Sequence, residues 1–400
     1  MKELIKKFIP SFLLNWYHWF LALVGALLYS FPSNKIKVIG VTGTNGKTTT
    51  VSLITDVLEE AGFKVASLSS VRFKIGDKEK ENTLKMTMPG RFKIQKFLKD
   101  GVNAGCKCAV LEVSSEGIKQ YRHKFINFEV AVITNLSPEH IESHGGFENY
   151  KKAKGKLFAS TTKVHIVNID DKNSEYFLNF NADKKYTYGW EKGDFNTKNT
   201  HFKLPLVGRF NIYNALASIC VGVSQGISLD ICQKALEKAK SIPGRMEEVI
   251  STPFKVVVDY AVTPDALEQL YKTIKETYSP SRIISVFGSC GGGRDKWRRP
   301  ILGEIASRYC QQIIITNEDP YDEDPMEIIN QIAEATKGKV IKILDRREAI
   351  QKALQVAKQG DIVLVTGKGC EPWIMEAKGK KIPWDDRQIV REEYKKLEKI

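Results

Sequence analysis

From Ile36 onward the chain repeats one unit. A short run of apolar, often β-branched residues gives way to a polar turn, and then to a longer stretch with apolar positions at helical spacing. Ile36–Val41, Lys64–Ser70, Cys108–Ser115, the VAVIT run from Val130, Val164–Asp170 and Tyr186–Trp190 read as strands. Lys47–Gly62, Arg91–Gly105, Glu148–Ser160, Asn211–Ile227 and Leu229–Lys240 read as helices. Lys74–Gly90 is a polar excursion, a substrate loop or a hairpin. After Ile242-Pro243-Gly244 a second series begins, with strands at Phe254–Tyr260, Arg282–Ser289, Gln311–Thr316, Lys339–Leu344 and Asp361–Gly367. Helices start at Pro264, after Lys296, at Pro325 and at Arg346. Such alternation predicts α/β architecture with two domains of mostly parallel sheet, residues 36–242 and 243–400, behind an arm at 1–35. Ligands belong at the carboxyl ends of the strands.

The arm has its own pattern. Phe8–Phe31 is apolar and rich in aromatics, with Lys2, Lys6 and Lys7 ahead of it and Lys35 and Lys37 behind. Asn15, His18 and the cluster Trp16, Tyr17 and Trp19 suit a helix lying in a membrane interface better than one crossing it. A helix packed on the body or on a dimer partner has equal standing.

Chemistry enters at the first strand-to-helix turn. Behind Ile36–Val41 comes Thr42-Gly43-Thr44-Asn45-Gly46, and Lys47-Thr48-Thr49 then opens a helix. A strand, a glycine loop, Lys-Thr and a helix N-terminus form a phosphate cradle. Backbone N–H groups approach phosphate oxygens, the lysine reaches the terminal phosphates and the first threonine hydroxyl can ligate Mg²⁺. A P-loop-type central domain that binds a nucleoside triphosphate is therefore expected, although Val41 stands where the strict spacing has a glycine.

Composition changes this picture little. The net charge of +14 is dispersed over scattered lysines, which suits anionic small substrates or a membrane surface rather than nucleic acid. Seven scattered cysteines point to a reducing, cytoplasmic setting, with Cys106 and Cys108 too isolated for a zinc site. Other polar groups fall at strand ends: Glu112, where a carboxylate can hold Mg²⁺, and Asn135 and His140 after the next strand. His144 reads as a loop residue, and Lys154 by spacing alone as a solvated helix lysine.

The ordered strings GVTGTNGKTTT, LEVSSEG, TNLSPEH, ENYKKAKGKLF, GRFNIYNALAS, PGRMEEV, DYAVTPDAL, FGSCGGGRDKWRRP and GKGCEP resemble the Mur ligase family from Ile36 to the C-terminus. They look most like its MurE branch, which adds the third residue of the peptidoglycan stem peptide. The resemblance implies a Rossmann-like C-terminal domain and an ATP-dependent, Mg²⁺-requiring ligase that forms an amide through an acyl phosphate. Its substrates would be an amino acid and a peptidoglycan-precursor peptide. Lys47, Lys154 and His140 would be catalytic. Thr48, Glu112, His140 and a carbamylated Lys154 would hold metal. Gly43, Thr44, Asn45, Gly46, Thr49, Asn135, Asn211, Asn214, Arg245 and Asp259 would surround the nucleotide. Ser114, Ser115, Arg122, Arg294, Asp295, Lys296, Asp319, Gly367 and Glu371 would meet substrate, Glu371 receiving the acceptor ammonium.

The sequence also departs from that pattern. Thirty-five residues precede Ile36, too few for the family's usual uridine-diphosphate-binding domain. Met86–Arg91 reads MTMPGR, Glu116 replaces a histidine, and Val262 and Cys370 replace two more. Where diaminopimelate-adding members carry Asp-Asn-Pro-Arg, this chain has Glu318-Asp319-Pro320-Tyr321, and tyrosine cannot grip a carboxylate bidentately. An acceptor other than meso-diaminopimelate is expected. Glu318, Asp319, Asp322, Glu323 and Asp324 would form an acidic rim for lysine or ornithine, unless they serve only the helix after Pro325. Two further readings stay open: a ligase on a polyglutamyl or lipid-linked carboxylate, and a membrane-associated nucleotide-binding scaffold without turnover. Amino-acid-dependent ADP release separates the scaffold from the ligases.

Overall fold

The computed structural model describes residues 10–338 and 340–398, so Lys2, Lys6, Lys7 and Phe8 lie outside the described residues. The chain divides into two compact units. The first comprises residues 1–138, 147–205 and 210–239; the second comprises 139–146, 206–209 and 240–400. Residues 139–146 thus fold with the second unit although they lie between two elements of the first.

The first unit is built on nine strands: β1 (Lys37–Thr42), β2 (Val65–Leu68), β3 (Arg72–Ile75), β4 (Lys78–Glu81), β5 (Cys108–Glu112), β6 (Phe128–Ile133), β7 (Val164–Asn168), β8 (Lys184–Gly189) and β9 (Phe195–Asn196). Their order across the sheet is β4-β3-β2-β5-β1-β6-β7-β8-β9. Every pairing is parallel except in the hairpin β2-β3-β4, which the polar Lys74–Gly90 stretch contains in part. β1, β2 and β5 are buried along almost their whole length, as helices cover both faces of a parallel sheet. Helix Lys47–Glu60 inserts Leu53, Ile54, Val57 and Leu58. Leu157 and Phe158 of helix Phe147–Ala159 join Val38, Leu111 and Phe128 in the core of the unit. β5 and β6 flank β1 on opposite sides, so the chain reverses direction across the sheet at β1, the position at whose carboxyl end open α/β sheets bind ligands.

The arm forms helix Ser11–Leu28. Its small residues Ala22 and Ala26 are buried, and Gly25 lies against Phe92 of helix Arg91–Asn103. His18 bonds Arg91, and the Trp19 ring meets Phe125 edge-on at 5.4 Å. No helix among the described residues is long and apolar enough to cross a membrane.

The second unit carries β10 (Glu247–Ile250), β11 (Lys255–Asp259), β12 (Ile283–Phe287), β13 (Gln312–Ile315), β14 (Val340–Lys342) and β15 (Ile362–Thr366), in the order β10-β11-β15-β12-β13-β14. Only β10 runs antiparallel. A small hairpin follows, β16 (Trp373–Met375) with β17 (Lys381–Pro383), and then helix Asp386–Leu397. That last helix is tied in by Arg346, wholly buried, whose guanidinium donates to both Asp386 oxygens at 2.9 and 2.7 Å. Mostly parallel α/β sheets preceded by an apolar helix are what the sequence pattern predicts; the C-terminal helix, β10 and the small hairpin are not in that prediction.

Candidate functional site

The loop after β1 closes on itself through short-range geometry only glycine tolerates. Gly43 has φ +149°, and a Cβ there would lie 1.8 Å from Thr134 Oγ1. Gly46 has φ +81°, and its Cβ would meet Asn214 Oδ1 at 2.5 Å. Side chains following β6 then latch the loop. Asn45 N–H donates to Asn135 Oδ1 (2.9 Å), Asn135 Nδ2 donates to the Asn45 carbonyl (3.1 Å), and Thr134 Oγ1 donates to the same carbonyl (2.6 Å). Thr44 Oγ1 bonds the Ser137 carbonyl at 3.1 Å and the Tyr150 hydroxyl at 3.0 Å. Asn214 accepts from Thr50 Oγ1 (3.2 Å) and donates to Asn211 (3.2 Å), so both asparagines stand behind the cradle. Thr49 is buried beside them at the start of the helix.

Lys47 curls over this loop, its Nζ donating to the carbonyls of Gly43 (3.1 Å) and Thr44 (2.9 Å). The next residue, Thr48, donates from Oγ1 to Glu112 Oε2 at 3.0 Å. β1 and β5 are in register with Val41 opposite Glu112, which brings the carboxylate to the cradle's rim. Glu112 is buried, and its other donors are Ser70 N–H (2.8 Å) and Ser70 Oγ (3.1 Å). Among the described residues its three donors are neutral, and no cation pairs with this carboxylate. Together with the Thr48 hydroxyl this is a hard, all-oxygen donor pair suited to Mg²⁺ that keeps its remaining positions for phosphate oxygens and water. The residues fit the metal.

Lys154 is not a solvated helix lysine. It is 1% exposed, donates to the Gly43 carbonyl at 2.7 Å, and lies 4.6 Å from the centre of the Tyr150 ring. Ser114 caps the short helix Ser115–Lys119 by accepting from Gly117 N–H, with Ser115 buried beneath it. Arg122 donates to the Met88 carbonyl and to Gln120 Oε1, and burial lowers its pKa.

In the second unit His140 adopts a left-handed backbone (φ 55°) at the start of helix Ile141–His144, with Arg294 Nη1 3.5 Å from its Nδ1. The two Asp295 oxygens accept the N–H groups of Ile141 (3.0 Å) and Glu142 (2.9 Å), and Lys296 N–H donates to Glu142. Asp295 is thus engaged in holding segment 139–146. Among the described residues no three His, Cys, Asp or Glu side chains gather as a metal site. Arg245 stacks 4.4 Å over Tyr260, and Asp259 accepts from Met246 N–H; burial raises its pKa while Arg245 draws it down.

At the end of β15, Gly367 (φ +110°) lies against Glu318, where a Cβ would meet Oε2 at 2.7 Å. Lys368, wholly buried, bridges Asp319 (2.9 Å) and Glu371 (2.6 Å), and Tyr260 donates its hydroxyl proton to Glu371 (3.0 Å). Burial opposes the charge on Lys368, but Glu371 and Asp319 outweigh it and hold its pKa well above the lysine range. Burial, and then Asp319, raise the Glu318 carboxyl.

The acidic rim does not exist as a free surface. Asp319 is paired with Lys368, Asp322 accepts from Lys378 N–H, Glu323 pairs with Arg299 and Lys296, and Asp324 caps the helix after Pro325. Tyr321 has a left-handed backbone (φ 53°) with its ring against Gly292. Sequence reasoning also missed Ser70, Thr134, Tyr150 and Lys368. Thr134, Tyr150 and Lys368 lay within recognised strings; nothing local marked Ser70.

Residues 41–222 match the Mur ligase middle domain and residues 244–369 the Mur ligase glutamate ligase domain. The chain is 39% identical to a UDP-N-acetylmuramoyl-L-alanyl-D-glutamate–2,6-diaminopimelate ligase of Clostridium acetobutylicum, over 94% of this chain and 82% of the relative. It is 40% identical to the ligase of that name from Aquifex aeolicus, over 90% and 78%. A solved structure of such a ligase aligns with TM-score 0.60 at 30% identity, covering 91% of this chain and 79% of that one. In fold alone the chain is also similar to Mycobacterium tuberculosis folylpolyglutamate synthase complexed with ADP, with TM-score 0.72 at 16% identity over 92% and 94%.

Proposed function

The chain belongs to the Mur ligase family of ATP-dependent, ADP-forming ligases, and from that premise we propose that it joins an amino acid to a peptidoglycan-precursor peptide through an acyl phosphate. The observation that carries this reading is the glycine cradle with Lys47, set beside a buried Glu112 that has no cationic partner among the described residues. Lys47 would leave the Gly43 and Thr44 carbonyls to meet the terminal phosphates. Mg²⁺, when bound at Thr48 and Glu112, supplies charge neutralisation on the phosphates. The donor carboxylate attacks the γ-phosphorus, ADP departs, and the acceptor amine displaces phosphate from the acyl phosphate.

In this reading Gly43, Thr44, Asn45, Gly46, Thr49 and Asn135 shape the nucleotide cradle, with Asn211 and Asn214 supporting it from behind. Arg245 and Asp259 are assigned to the nucleotide. Lys154, as an ammonium, would repel a metal; reaction of its neutral amine with CO₂, with loss of a proton, makes it a carbamate anion. His140 completes the metal-facing set. Ser114, Ser115 and Arg122 are assigned to the donor, and Arg294, Asp295 and Lys296, assigned to substrate from the sequence, order segment 139–146. Asp319, Gly367 and Glu371 form the acceptor pocket.

The relatives named above take UDP-N-acetylmuramoyl-L-alanyl-D-glutamate and 2,6-diaminopimelate, and we assign the same donor class here. The acceptor is a different matter, because Tyr321 offers a distal carboxylate one neutral hydroxyl and no cationic, bidentate partner, and a buried carboxylate without a counter-charge costs roughly several kcal/mol. We infer an acceptor lacking that group, lysine or ornithine first. The arm is assigned as a contact surface for a membrane or a protein partner on the cytoplasmic side. ADP release with the dipeptide precursor, screened across amino acids, tests the reading. Release should require an amino acid and favour lysine over diaminopimelate. ATP turnover indifferent to amino acids overturns the ligase assignment, and preference for diaminopimelate overturns the acceptor.

A further inference from the structure

We propose that helix Ser11–Leu28 docks the enzyme on an anionic lipid surface, lying in the plane of the headgroups. This deepens the contact role assigned to the arm, and it begins from how the helix is held. Ala22 and Ala26 are buried and Gly25 lies against Phe92, while His18 bonds Arg91 and Trp19 packs on Phe125. Helix rotation is therefore set by the body of the first unit. The face left outward carries Phe12 (67% exposed), Leu13, Trp16 (61%), Tyr17, Phe20 and Leu28 (64%), spaced as one helical stripe, with the Trp16 and Phe20 rings stacked at 5.4 Å. An outward stripe of large apolar side chains is a contact surface rather than ordinary scatter.

Charge decides what covers it. No Asp or Glu occurs from Leu4 to Thr55, whereas Lys6, Lys7, Lys35, Lys37 and Lys47 do. Lys35 is exposed behind the helix, and Lys93 and Lys96 are exposed on the helix beneath it. Arg91, bonded to His18 and the Gln120 carbonyl, has no carboxylate among its described partners, and burial lowers its pKa. A second copy of the chain would bring like charges together across the stripe, while an anionic bilayer meets both the apolar face and its basic surroundings. Aromatic residues at this density match the headgroup level, and no helix among the described residues is long and apolar enough to cross a membrane.

The test uses the full chain and vesicles of phosphatidylcholine with or without phosphatidylglycerol. Co-sedimentation should occur with the mixed vesicles, weaken at least tenfold on raising salt, and be negligible on phosphatidylcholine alone. The double variant W16S/F20S alters two exposed side chains and should bind at least tenfold more weakly, with an unchanged thermal melt and unchanged ADP binding. Wild-type protein that stays in the supernatant with anionic vesicles overturns the proposal, as does a double variant that binds as well as wild type. A dimer that W16S/F20S dissociates, with no lipid binding, assigns the stripe to a second copy and overturns it too. Amino-acid-dependent ADP release is read on the same samples, so loss of the ligase reading and loss of the docking reading are told apart.

Discussion

Replacing Lys154 by alanine separates the structural contacts of one buried side chain from the catalytic role proposed for it. As an ammonium it donates to the Gly43 carbonyl at 2.7 Å, an interaction worth roughly 1.5–3 kcal/mol for a charged donor. Its position 4.6 Å from the Tyr150 ring centre, away from water, adds about 1–2 kcal/mol. The cost of burying an ammonium offsets part of that sum, so a net loss of about 2–4 kcal/mol of stability is expected. Carbamylation would convert the same residue into an anion serving the metal, and loss of that role should lower kcat about 10²–10³-fold, or roughly 3–4 kcal/mol in the barrier. The two effects are read independently, the first by chemical denaturation and the second by ADP release on protein verified as folded. Short carboxylic acids such as acetate or formate should enter the vacated space and restore part of the rate without restoring stability. An alanine variant with full turnover refutes the catalytic role. A slow variant that no carboxylic acid rescues leaves only the structural one.

Other substitutions probe the neighbouring groups. Glu112→Gln keeps the shape while removing a buried charge with neutral donors; the Mg²⁺ concentration for half-maximal rate should rise at least about tenfold while the melting temperature holds or increases, and an unchanged Mg²⁺ dependence would count against the site. Lys368→Met removes the cation between buried Asp319 and half-buried Glu371, costing about 3–5 kcal/mol and raising KM for the acceptor more than it lowers kcat; equal effects on both would remove the pocket's assignment. Burial alone would raise Asp361, but Arg282, at 2.5 Å, and the Lys358 N–H hold it below its ordinary range. Its stabilisation is complete above about pH 4 and declines as pH falls through the still lower folded value. Urea melts between neutral and acid pH should show a shallower decline for Asp361→Asn, and identical slopes would refute the linkage.

What the sequence by itself determined is what short-range physics encodes. The β-branched runs, the helical spacing between them and the Gly43–Thr48 turn specify strands, helices and a phosphate cradle from neighbours only a few residues apart. Parallel strands need helical crossovers, so alternation carries the sheet type with it. Which polar side chains meet is another matter, because their partners arrive from distant parts of the chain. Lys154 looks solvated by its spacing, yet Gly43, 111 positions away, makes it a buried donor. Glu112 is legible as a strand-end acid, but only the β1–β5 register brings it to Thr48, and only packing leaves it without a cation. Acids 319–324 read as an open rim until tertiary contacts assign them to Lys368, Lys378, Arg299 and a helix cap. The C-terminal helix is anchored by Arg346 and Asp386, 40 positions apart, a pair no local pattern announces. Asp295 likewise reads as a substrate residue until the backbone N–H groups of Ile141 and Glu142 fill both its oxygens. Secondary structure follows from local sequence, whereas the charge state and partners of a buried group follow from what the fold places against it.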